Sequence, residues 1–177
     1  METATTFFSL LTVIANAGVV VSLVAVAGGE RTARLRATLS ESVAPIALVL
    51  ALIVAAVATG GSLYYSDGLG LEPCKLCWYQ RIAMYPLVPL FAIGLWKRDL
   101  TVWRYAMPLV IIGFAIAGYH YLIQQVPSLE AGTCSATVPC TAAYFYRFGF
   151  VSIPYMAASA FAAIGTLWWM GRSPARA

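Results

Sequence analysis

Five long apolar stretches, at about 7–27, 43–65, 78–96, 105–125 and 148–170, constrain this chain more than any other feature. Each approaches the roughly 20 apolar residues that carry a helix across a bilayer. Lipid offers backbone N–H and C=O groups no partner, so each stretch must satisfy its own hydrogen bonds as a helix. The expected fold is therefore an all-α integral membrane protein. Composition agrees: 61% of the 177 residues are hydrophobic and 10% are charged, against about 25% charged in a soluble domain. The basic residues flank apolar stretches and form no block. A lipid bilayer is the expected environment, and no nucleic-acid partner is expected.

Lys and Arg near the span ends set orientation. Arg31, Arg34, Arg36, Lys97, Arg98, Arg104, Arg172 and Arg176 fall on one side if all five stretches span. Lys75, Arg81 and Arg147 fall on the other. The richer side is assigned to the cytoplasm. The N-terminus and the loops 66–77 and 126–147 are then extracytoplasmic, and the C-terminus is cytoplasmic. Ala25-Val26-Ala27 resembles a signal-peptidase site, but the preceding stretch has Glu2 and no basic residue, which is wrong for a signal peptide. Gly60-Gly61 suggests close helix packing, and Pro86 with Pro89 should kink the third stretch. The tryptophans sit at span ends, most of them where interfacial anchors belong.

All four cysteines lie in the two extracytoplasmic loops, where disulfides persist. Cys74 and Cys77 form a C-x-x-C where a polar loop runs into the third stretch. A helix start favours negative charge, so a thiolate at Cys77 is expected there, and thiolate is the reactive form. Arg81 follows at i, i+4 on the same face. It can face that thiolate or an anionic reduced acceptor, or it can reach the headgroups as long basic side chains do. Four cysteines allow three pairings. Cys74–Cys77 and Cys134–Cys140 need the least chain closure. As staples such short loops would contribute roughly 2 kcal/mol, little for a bundle of five spans. A Cys₄ zinc site is disfavoured, because the spacing from Cys134 to Cys140 exceeds the usual range; no metal is expected. Haem attachment needs His after the C-x-x-C, and Trp78 is there. His120, the sole histidine, and Gln124 one turn on lie near the outer end of the fourth stretch. They could bond a neighbouring span, or His120 could donate a hydrogen bond or a proton to an acceptor.

The run Cys74-Lys75-Leu76-Cys77-Trp78-Tyr79-Gln80-Arg81 resembles the DsbB family of membrane disulfide-generating proteins, and its BdbC-type members in particular. Tyr85-Pro86, Val138-Pro139-Cys140-Thr141, Phe148-Gly149-Phe150 and Ile153-Pro154 fit as well, as does His120 with Gln124. The likeness covers about 43–170. It implies a four-helix transmembrane bundle core at 43–177; the additional N-terminal transmembrane helix and basic cytoplasmic loop expected at 1–42 depart from the family pattern. It also implies a thiol:quinone oxidoreductase of the cell membrane. In that scheme Cys134 forms a mixed disulfide with a DsbA-like extracytoplasmic partner. The pair Cys134/Cys140 is reoxidised by Cys74/Cys77 through Cys74. Cys77 faces a quinone, ubiquinone or menaquinone, with Arg81, His120 and Gln124 as quinone-binding residues. The short second loop leaves little reach for shuttling between Cys134 and Cys74. A vitamin K epoxide reductase-like chain would carry its outer pair before the C-x-x-C, the reverse of the order here. A non-catalytic scaffold with stapled loops would leave the thiol and arginine arrangement unexplained.

Overall fold

The computed structural model describes residues 2–132, 134 and 138–172; Arg176 of the basic tail lies outside them. Seven α-helices follow in order: α1 Glu2–Ala27, α2 Ala33–Val43, α3 Ala47–Leu63, α4 Lys75–Met84, α5 Leu87–Lys97, α6 Val102–Gln125 and α7 Ile153–Gly171. Among the described residues there is no strand, only an isolated bridge between Arg147 and Val151. The protein is an all-α, multi-pass membrane bundle. Glu2–Ala27, the helical run 29–68, Val102–Gln125 and Ile153–Gly171 are each long and apolar enough to cross a membrane.

The third stretch is broken, and so neither half alone has spanning length. α4 ends at Met84, and α5 begins at Leu87 with Pro86 as its N-cap. Proline lacks the N–H that would continue the ladder and crowds the carbonyl one turn back, so the expected kink falls at Pro86. Several boundaries differ from the sequence reading: α1 starts at Glu2 instead of 7, and α4 at Lys75 instead of 78. Residues 33–43 form a helix instead of a plain loop. The last helix starts at Ile153 instead of 148. Phe148 and Gly149 have φ of 53° and 80°, a left-handed turn closed by the Arg147–Val151 bridge, and Ser152 is an extended N-cap.

α7 is the hub, packed by α1, α3 and α6. Its Phe161 is fully buried and lies against Gly113 of α6. A Cβ at Gly113 would sit 2.2 Å from the ring, so only glycine permits this crossing. Gly61 of α3 likewise faces the Phe8 ring of α1, with 3.0 Å left for a Cβ, whereas Gly60 faces open space. Trp103 is no interfacial anchor: it is buried, with its ring centroid 5.0 Å from that of Phe91.

Candidate functional site

The buried face of α4 carries Leu76, Gln80, Ala83 and Met84, a spacing of about one turn that packs the helix against α6. Cys77 and Arg81 follow on a neighbouring face. Cys74 is the N-cap, in extended backbone, and its Sγ accepts a hydrogen bond from the Cys77 N–H at 3.4 Å. Cys74 and Cys77 are free thiols with Sγ atoms 3.2 Å apart. Cys134 and Cys140 form a disulfide. All four join one buried cluster with Leu76 and Ile123.

His120 of α6, 2% exposed, holds the two pairs together. Its Nε2 lies 3.1 Å from the Cys140 carbonyl oxygen and 3.6 Å from Cys74 Sγ. A carbonyl only accepts, so Nε2 carries the hydrogen. The neutral ring then accepts at Nδ1, and Gln80 donates to it from Nε2 at 2.9 Å. One tautomer thus aims a donor at both Cys140 and Cys74.

This geometry moves the expected thiolate from Cys77 to Cys74. The hydrogen bond from Cys77, aided by His120, pulls the Cys74 thiol down to about 4 against the opposing effect of burial. Cys74 lies ahead of the apolar stretch, and its N-cap position gives it the unpaired N–H that Cys77 was expected to use.

Two cavities meet at the dithiol. The larger, about 380 Å³, is walled by α1, α3, α4 and α7 and is overwhelmingly apolar. Cys77, Arg81, Ser62 and Tyr85 supply its polar end. Arg81 donates to the Ser62 carbonyl at 3.1 Å and lies 5.3 Å from the Trp78 ring centroid. Tyr85 donates to Ser62 Oγ at 3.2 Å. The smaller cavity, about 270 Å³, is lined by Cys74, Cys77, His120 and Gln124. Ser152 donates to Gln124 Oε1 at 2.8 Å, which ties the start of α7 to α6. Cys77 and Tyr144 border both cavities, and Tyr144 donates to the Glu72 carbonyl.

Of the residues assigned to an acceptor from sequence, Arg81 shares the large cavity with Cys77, while His120 and Gln124 line the small one. Donor atoms of Cys74, Cys77 and His120 lie within 4.8 Å of one another, close enough for a thiophilic cation. A thiol relay would use the same atoms. Gln80 and Tyr144 were missed. Gln80 left a trace, as a polar residue on an otherwise apolar buried face; Tyr144 left none.

The fold and site define a multi-pass membrane protein that gathers two cysteine pairs around one buried histidine. The chain belongs to the DsbB family: the model described as "Disulfide bond formation protein DsbB" matches residues 44–171. It is similar to the "Disulfide bond formation protein C" of Bacillus subtilis, 46% identical over 110 residues, covering 62% of this chain and 80% of that one. It is also similar to a "Probable disulfide formation protein" of Oceanobacillus iheyensis, 43% identical over 125 residues, with 68% and 84% covered. A "Probable disulfide formation protein C" of Halalkalibacterium halodurans is 48% identical over 113 residues, with 63% and 82% covered. No solved structure matches the chain.

Proposed function

We propose that this protein is a membrane thiol:quinone oxidoreductase that reoxidises a DsbA-like thioredoxin-fold partner outside the cytoplasm. The observation that carries the reading is the placement of one dithiol between two chambers. Cys74 faces the second cysteine pair through His120, and Cys77 faces an apolar cavity with Arg81. Family membership and the relatives' names support disulfide formation as the process.

Electrons enter at Cys134–Cys140. The partner's two thiols become a disulfide as this disulfide opens to two thiols. Exchange with an oxidised Cys74–Cys77 pair restores the outer disulfide and leaves the inner pair reduced. That is the arrangement of bonds described here, with Cys74 held as thiolate by the Cys77 thiol and His120. The large cavity fits a quinone, because its walls are apolar and its polar end combines a thiol with a guanidinium. A bound quinone supplies a sink for two electrons and two protons. Arg81 would hold its head, and Cys77 would be the thiol presented to it. We place His120 and Gln124 with the exchange side. The positive-inside pattern supports extracytoplasmic cysteine loops, and the division at residue 43 remains our reading of the core.

The test is quinone reduction by the purified full-length protein in proteoliposomes, driven by a reduced DsbA-like partner and followed by quinone absorbance. Cys77→Ser should reduce turnover to background. Cys134→Ser should lose partner-driven turnover while dithiothreitol still drives quinone reduction through Cys74 and Cys77. Wild-type rates in both variants would sink the relay.

A further inference from the structure

α1 lies ahead of the family-matched segment 44–171, yet it walls the large cavity. Phe8, Leu11, Thr12 and Ala15, one face of the helix at i, i+3, i+4 and i+7, line it together with Cys77 and Arg81. The helix is fastened to the bundle along an adjoining stripe that shares Thr12. Thr5, Ser9 and Thr12 are buried, and Asn16 donates to the Tyr155 hydroxyl of α7 at 3.0 Å. Small residues at such an interface let two helices approach closely.

α1 and α3 both pack along α7 but touch each other only marginally. The gap between them is plugged at one end, where the Phe8 ring meets Gly61 and lies 5.8 Å from the Tyr65 ring. Deeper along the helices it opens. Ile14 and Ile53 line the cavity while 67% and 51% exposed, so the cavity mouth lies between two lipid-facing side chains. From Ile53 to Ser62 beside Arg81, the α3 wall runs about 14 Å along the helix axis at 1.5 Å per residue.

We propose that α1 builds a lateral portal. A quinone's isoprenoid tail passes between α1 and α3 at the level of Ile14 and Ile53, its head lies toward Cys77 and Arg81, and Leu11 and Ala15 set the width of the passage. The occupant follows from the chemistry at the two ends: an apolar mouth at lipid depth and a redox thiol beside a guanidinium at the inner end. The proposal rests on the quinone reading above and assigns the helix that the family match omits.

The experiment uses full-length protein in nanodiscs and a quinone analogue with a diazirine in its isoprenoid tail. Label should map to residues 8–15 of α1 and 53–58 of α3, and an excess of unmodified quinone should compete it away. Competed label on α3 or α7 with none on α1 would overturn the portal while leaving the quinone reading intact. No competed label anywhere would overturn both. In a second measurement, Ala15→Trp should raise KM for the tailed quinone about tenfold or more, the usual scale of overpacking. KM for a tailless analogue should hold. Equal effects on both quinones, or none on either, would refute the passage. Leu10→Trp, on the opposite and exposed face of α1, should change neither. If Ala15→Trp fails to fold, the label map on the unaltered protein decides.

Discussion

The two sides of the Cys74/Cys77 pair are built from different materials. On the His120 side the buried polar groups are tied to one another: Gln80 sets the ring, the ring holds Cys140, and Ser152 holds Gln124. On the Arg81 side the walls are mostly hydrocarbon, and Arg81, Ser62 and Tyr85 form one polar cluster. A hydrogen-bonded chamber favours exchange between sulfurs whose positions must be held. An apolar chamber favours a lipid-soluble acceptor that must come and go. The difference teaches that adjacent sulfurs can serve separate tasks because their surroundings differ, although their chemistry is the same.

Altering one side at a time tests that division. The largest effect is expected from Arg81→Leu. It removes a charged donor from the apolar chamber, an interaction worth about 1.5–3 kcal/mol. KM for quinone should rise about ten- to hundredfold, while exchange between the cysteine pairs, followed by rapid quench and thiol counting, should be unchanged. A loss of exchange instead would merge the two chambers into one functional unit.

His120→Leu should act in the opposite sense. The Cys74 thiol, held down to about 4, is a thiolate through the neutral range and is protonated only as pH falls through that value. Losing the His120 donor should move this midpoint up by about one to two pH units, read from ultraviolet thiolate absorbance against a Cys74→Ser reference. The sign also applies to stability: an ionised Cys74 favours the folded chain most above the ordinary thiol range, and this contribution drains away as pH falls toward 4. An unmoved midpoint would show that the Cys77 contacts suffice.

Tyr144→Phe should have the smallest effect. Tyr144 stands on the wall shared by the chambers, and its bond to the Glu72 carbonyl is of the neutral kind worth about 1 kcal/mol. Partner-driven turnover should fall about two- to fivefold with KM for quinone unaltered. A raised KM would assign the tyrosine to the apolar side.

Much of this was legible in the sequence because membranes impose a coarse rule. A stretch of apolar residues must be helical, so the spans could be read one by one, and Pro86 marked its own break. Cys74, Cys77 and Arg81 could be placed because one helical turn relates them. Contacts between distant segments were not legible. His120 was visible as the sole histidine, but its bond to the Cys140 carbonyl depends on how α6 meets the second loop. Gln80 looked like part of a motif, and only packing showed that it faces the imidazole. The thiolate was expected at Cys77 because the helix start was placed too late; with Cys74 as the cap, the free N–H groups point at the earlier sulfur. The turn at Phe148-Gly149 was hidden because phenylalanine rarely adopts positive φ.

The break at Pro86 also bears on energy coupling. α4 has ten residues, about 15 Å of helix, against a hydrocarbon core of about 30 Å. Cys74, Cys77 and Arg81 all lie before that break. On the function proposed above, electrons passing from Cys134–Cys140 toward the large cavity would traverse only the near half of the bilayer, and protons would leave on the side where the thiols arrive. A full crossing would couple each elementary charge to the membrane voltage by about 2.3 kcal/mol per 100 mV. A route confined to one leaflet would escape most of that work, and the proposed relay would then run free of the electrical state of the cell.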